Sequence, residues 1–173
     1  MEKIKIKSLV SHKVLINDTD KRIKRTWDKK GAIRAISLED LEELVYDPGV
    51  EYMFREGMLD IVAPNKEEIM IKLGFQQEGE KPEIIILSEE EMLKLMRETT
   101  SVSAFRKKIN ELPREQLREL INFCVDKELV SYEKVTILKE KTGNDIIKMI
   151  ELKKADKEKT PKEGSNEVNT RSV

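Results

Sequence analysis

ISLEDLEELVYDPGVEYMFREGMLDI, residues 36–61, decides how the chain is read, because its apolar spacing changes twice. Ser37 with Asp40 three positions on is an N-terminal capping pattern, and Leu38, Leu41, Leu44 and Val45 then keep a helical stripe. A short helix to about Tyr46 is predicted. Asp47 is placed to cap a second helix, Pro48 sits where a missing N–H does no harm, and Val50, Met53 and Phe54 share one face. Gly57 then stands as a left-handed stop, and MLDIVA alternates as a strand does. The segment is therefore a two-helix corner feeding a strand.

Upstream of the corner the period is two. KIKIKSLV, HKVLIN, RIKRTW and AIRAI alternate polar and apolar residues, and Asn17, Asp18 and Asp20 supply a turn between the second and third runs. The first three runs predict a small antiparallel sheet with one wet face, and AIRAI one further short strand. Downstream, NKEEIMIKLGF fits either a helical turn or a strand. QQEGEKPE, with Gly79 and Pro82, is a polar linker, and EIIIL reads as extended.

The rest is helical in pattern. Ser88 with Glu91 makes a capping box, Ser101 or Ser103 opens a second helix, and Pro113 opens a third that carries Leu117, Leu120, Ile121, Cys124 and Val125 on one face. Ser131 is placed to cap a fourth through Leu138, and TGND separates it from IIKMIELKKA. Short helices with short joints predict an antiparallel bundle. The fold class expected is α+β: a small N-terminal antiparallel β module with two short helices (1–75), a linker and extended segment (76–87), a helical bundle (88–155) and a disordered tail (156–173) with little to bury.

Composition narrows the chemistry. Charged residues make up 39% of the 173 positions, against about a quarter in ordinary globular proteins, which predicts small cores under a charged surface. The single Cys124 allows no internal disulfide, and His12 is the only histidine, too few soft ligands for a structural zinc site. An intracellular, soluble protein with no signal peptide and no membrane association is expected. No glycine-rich phosphate loop is present, and Thr142-Gly143-Asn144 reads as a helix stop and restart. Runs such as EDLEEL and SEEEM place their carboxylates in first helical turns, where they complement the helix dipole. Asp47, Glu51 and Glu56 are the best-placed acids for catalysis, but a cap and solvated charges explain them. No catalytic residue, metal ligand or cofactor site is assigned.

Charge is segregated along the chain. Residues 1–36 hold eleven Lys/Arg against four Asp/Glu, residues 37–98 six against seventeen, and residues 99–173 sixteen against thirteen. A basic segment beside an acidic one satisfies itself within the fold or between subunits of a homo-oligomer, or else marks a partner. Lys21, Arg22, Lys24 and Arg25 cluster around Trp27, the arrangement by which single-strand binders follow phosphates and stack a base. In the corner, Tyr52 and Arg55 fall away from the Val50/Met53/Phe54 stripe, and both residue types are favoured at protein interfaces. These seven residues form the candidate partner surface.

The Lys-rich β start, the corner ISLEDLEELVYDPGVEYMFREGMLDI and the helical half SVSAFRKKINELPREQLRELINFCVDKELVSYEKVTILKEKTGNDI, with the phrases SAF and KTGNDI, resemble accessory structural proteins of tailed bacteriophages over residues 3–150. The resemblance implies an N-terminal β module joined to a C-terminal helical module. It implies a non-enzymatic virion component of the capsid-decoration or vertex/neck kind, with the major capsid protein or neck and tail components as partners. Its location would be the virion, after the host cytoplasm. The alternative is an intracellular phage protein that binds nucleic acid or a host protein through the basic N-terminal module.

Overall fold

The computed structural model describes residues 1–159, so the predicted tail from residue 160 onward lies outside the described residues. Five strands and eight helices follow in the order β1 (Lys3–Ser8), β2 (Val14–Asp18), β3 (Ile23–Trp27), β4 (Ile33–Ser37), α1 (Leu38–Leu44), α2 (Pro48–Arg55), β5 (Leu59–Val62), α3 (Lys66–Lys72), α4 (Glu89–Arg97), α5 (Val102–Glu111), α6 (Arg114–Asp126), α7 (Tyr132–Thr142) and α8 (Ile146–Lys159). The α+β class is as expected.

Strand pairing differs from the expectation of one sheet built from the first three runs. β1 lies at the centre of a three-stranded antiparallel sheet, β4-β1-β5, with Ile4 opposite Ile36 and Ile6 opposite Ile61. Both edges of β1 are thereby taken. β2 and β3 pair only with each other, Val14 opposite Trp27, in a separate hairpin. Its four-residue turn is closed by the Lys21 N–H donating to Asp18 Oδ1 at 2.9 Å and by Arg22 in the left-handed region at φ 55°.

The corner forms as its residues dictate. Ser37 Oγ accepts the Asp40 N–H, and Asp47 Oδ1 accepts those of Gly49 and Val50 at 2.7 and 3.2 Å. Gly57, at φ 75°, closes α2: its N–H donates to Phe54 O, and the Met58 N–H donates to Met53 O, the paired bonds of a Schellman stop. NKEEIMIKLGF resolves as helix α3. EIIIL makes no strand.

Two clusters of buried side chains hold the chain. One runs from Ile4 to Phe75 and includes Trp27, Phe54 and Leu59; the other runs from Leu87 to Ile150 and includes Phe105, Leu120 and Cys124. The segment between them is stitched down. Gln76 is buried and donates to Glu67 and to the Glu80 carbonyl, while Ile84 packs on the first cluster and Ile85 on the second. The capping box at Ser88 is complete. Ser131 stands at the start of α7 but makes no side-chain cap, and α7 runs past the expected Leu138 to Thr142. α8 continues four residues beyond the expected end of the bundle, so 156–159 are helical and not tail.

The modules meet where α2 ends. The Glu115 N–H, in the first turn of α6, donates to the Glu56 carbonyl at 3.1 Å, and Gln116 Oε1 accepts the Leu87 N–H at 2.9 Å. Lys30 Nζ donates to Glu119 Oε2 at 2.6 Å, across the same junction. An α6 that buries Glu115, Gln116 and Glu119 would be anomalous in isolation; each has a partner here.

Candidate functional site

Most of the seven candidate interface residues turn out to be engaged within the chain. Trp27 is fully buried, and its indole N–H donates to the Ile6 carbonyl at 2.9 Å. It fastens the β2–β3 hairpin onto the central strand and offers no face to a base, which removes the stacking platform from the basic segment. The reason is positional: Trp27 is the inward residue at the end of β3, so alternation turns it to the core while Lys24 faces out.

Two of the four neighbouring cations are tied. Lys21 pairs with Glu43 on α1. Arg25 donates through Nε to the Ala35 carbonyl at 3.0 Å and through Nη1 to the Lys24 carbonyl at 2.9 Å, so it bridges the hairpin to β4. Lys24 and Arg22 are exposed. Opposite charge within the fold thus absorbs part of the basic segment, as in the pair Lys21–Glu43.

In the corner, Arg55 is a brace. It donates to Glu51 Oε1 at 2.7 Å and to Glu83 Oε2 at 3.2 Å, and its guanidinium lies 5.4 Å from the Phe75 ring centroid. The hydrogen bond to Glu51 and then the one to Glu83 hold its pKa above the ordinary value. Because Glu83 belongs to the segment between the modules, Arg55 fixes that segment to α2. Tyr52 is 45% exposed, and Arg55, though braced, is exposed as well.

The outer face of the three-stranded sheet is different. Lys3, Lys5 and Lys7 project from β1 while Ile4, Ile6 and Ser8 point inward, and none of the three lysines makes an ion pair among the described residues. The register places Lys5 between Ala35 and Val62, and Lys7 between Ile33 and Asp60. Ile33 and Val62 are 45% and 43% exposed. The result is a cationic rib flanked by exposed apolar side chains. From it a cleft of about 940 Å³ leads toward the start of α4, lined among others by Lys5, Lys7, Val62, Lys66 and Met92. At the cleft's far wall Glu91 accepts the Ser88 backbone N–H, which holds its carboxyl below the usual range. Lys66 is neutralised by Asp60; Lys5 and Lys7 are not neutralised by anything comparable.

The alternation KIKIK announced this wet face, but charge alone did not distinguish it from the basic run 21–25. What separates them is non-local: the second run has Glu43 and the β4 carbonyls within reach, whereas Asp60 beside the rib is held by Lys66, and Glu89 and Glu91 across the cleft pair with no rib lysine among the described residues.

Cys124 is fully buried, and desolvation pushes its thiol up to about 12, so it is no nucleophile at neutral pH. Among the described residues no group of three or more His, Cys, Asp or Glu is arranged to hold a metal ion, and no helix is long and apolar enough to cross a membrane. No protein-family model matches the chain, and no curated protein or solved structure is significantly similar to it.

Proposed function

We propose that the chain is a non-enzymatic accessory protein of a tailed-phage virion that attaches to a repetitive protein surface, of the capsid or neck, through the outer face of its β4-β1-β5 sheet. The observation that carries this reading is the rib Lys3-Lys5-Lys7, without ion-pair partners among the described residues and flanked by exposed Ile33 and Val62. In a chain with this many acids, three neighbouring cations left without ion pairs on one exposed face suit an acidic partner surface. Such complementarity chiefly sets orientation and association rate, and the exposed aliphatic groups add area to be buried.

The setting comes from the resemblance in layout to phage accessory proteins, and two modules joined by fixed contacts suit a structural role. The basic run around Trp27 gives less support to nucleic-acid binding than its sequence did, since the ring is buried and Lys21 and Arg25 are occupied. Mass spectrometry of purified particles tests the reading. It is supported by detection of the chain at a fixed copy number relative to the major capsid protein, and it is abandoned if purified particles lack the chain.

A further inference from the structure

The helical module carries a second cationic site, only partly matched within the chain, where the turn KTGND meets the start of α6. A pocket of about 510 Å³ lies between the first two turns of α6 and the α7–α8 turn. Its floor is aliphatic: Leu112, Leu117 and Ile121. Its rim is Arg114, Arg118 and Lys141, with Thr142 and Asn144 completing the wall, and no carboxylate lines it. Arg118 leans toward both oxygens of buried Glu115 at a long 3.4 Å, whereas Arg114 and Lys141 have no ion pair among the described residues.

Lys141 lies in the last turn of α7, just before the chain turns. Gly143 in the left-handed region turns the chain, and Thr142 Oγ1 donates to the Leu138 carbonyl while accepting the Asn144 N–H. The turn is therefore more than a helix stop; it brings Lys141 and Asn144 to the wall of the pocket that Arg114 and Arg118 also line.

We infer that this pocket binds an acidic peptide segment of another protein, with one or two apolar side chains on the aliphatic floor and flanking Asp or Glu carboxylates on Arg114, Arg118 and Lys141. Arginine forks suit carboxylates geometrically, and an apolar floor with a cationic rim selects acid and hydrophobe together. A nucleic acid fits less well. No aromatic residue lines the pocket to stack a base, and the floor would bury aliphatic surface against nothing. The site lies on a different module from the lysine rib and uses none of its residues, so the full protein would hold two acidic surfaces at once.

The test is a nuclear magnetic resonance titration of the full chain with a blocked peptide alternating Glu and Leu, and with its Gln-for-Glu counterpart, at about 20 mM and about 300 mM salt. The expected result is saturable shifts centred on Leu112, Leu117, Ile121 and Lys141 for the acidic peptide alone, weakening with salt. Arg114→Gln with Lys141→Gln should lower affinity about tenfold or more, whereas Lys24→Gln should not. Both pocket cations are exposed, so the double variant should retain the wild-type spectrum elsewhere. A chain with Lys3, Lys5 and Lys7 changed to Glu should bind the peptide at the same pocket, separating this site from the sheet face. The inference is overturned if the acidic peptide does not bind, if the Gln peptide binds equally, if the shifts spread over every basic surface, or if a single-stranded oligonucleotide occupies the pocket more tightly. Self-association through the pocket in sedimentation experiments would likewise replace the foreign peptide with a second copy.

Discussion

Gln116 accepts the backbone N–H of Leu87 through its side-chain carbonyl at 2.9 Å, and both groups are buried. Through this bond a residue in the first turn of α6 receives the end of the segment that crosses from the β module. Gln116→Leu keeps the bulk but leaves the Leu87 N–H unsatisfied, which should lower stability by about 1–3 kcal/mol. Denaturant unfolding reads the loss directly. An unchanged midpoint would mean that the junction does not depend on this bond.

Gly57 stands at the same junction from the other side. Its φ of 75° is left-handed, and a Cβ there would approach Gln116 Cγ to 3.0 Å and Ile86 Cδ1 to 3.4 Å. Gly57→Ala should therefore combine about 1–2 kcal/mol of backbone strain with a displacement of the Gln116 side chain. In a double-mutant cycle with Gln116→Leu the two losses should fall short of additive, since both act on one contact.

Trp27 is the only tryptophan, so its fluorescence reports one site. The native emission should be blue-shifted and resist quenching by added single-stranded oligonucleotide, because the ring is buried against the central strand. Trp27→Phe removes the donor to the Ile6 carbonyl and should destabilise by about 1–3 kcal/mol. Strong quenching on oligonucleotide addition would restore the stacking role that burial removes.

Much of this was legible in the sequence because it is local. Ser37, Asp47, Pro48, Gly57 and Ser88 act on backbone groups within a few residues, and each stands where capping logic puts it. Strand pairing was not legible, since alternation shows which way Ile4 and Lys5 point but not that β4 and β5 would take both edges of β1. For the same reason Arg55 and Arg25 looked available. Their partners, Glu83 and the Ala35 carbonyl, lie 28 and 10 residues away. The lysine rib and the pocket at Lys141 emerged only once the internal ion pairs were known.

Cys124 makes a pH prediction. Its folded pKa is raised by burial from 9.0 to about 12, so between these values the folded chain retains a proton that the unfolded chain has lost. Stability should then fall as pH rises through that window, by up to about 1.4 kcal/mol per unit from this one group. Cys124→Ala lacks this contribution. The difference between the two proteins' unfolding free energies, followed from pH 8 to pH 11, isolates it from other titrations, and a constant difference would contradict the burial argument. Thiol reagents should label Cys124 only after denaturation.

Attachment to a virion through the outer face of the β4-β1-β5 sheet, as proposed, is tested by the incorporation of a charge-reversed chain into particles. Lys3, Lys5 and Lys7 are exposed, so changing all three to Glu should leave the circular dichroism spectrum intact. Particles assembled with the wild-type chain should carry it at a fixed copy number, and those assembled with the triple variant should carry at least about tenfold less. Equal incorporation of the two proteins would mean that the sheet face does not attach the chain.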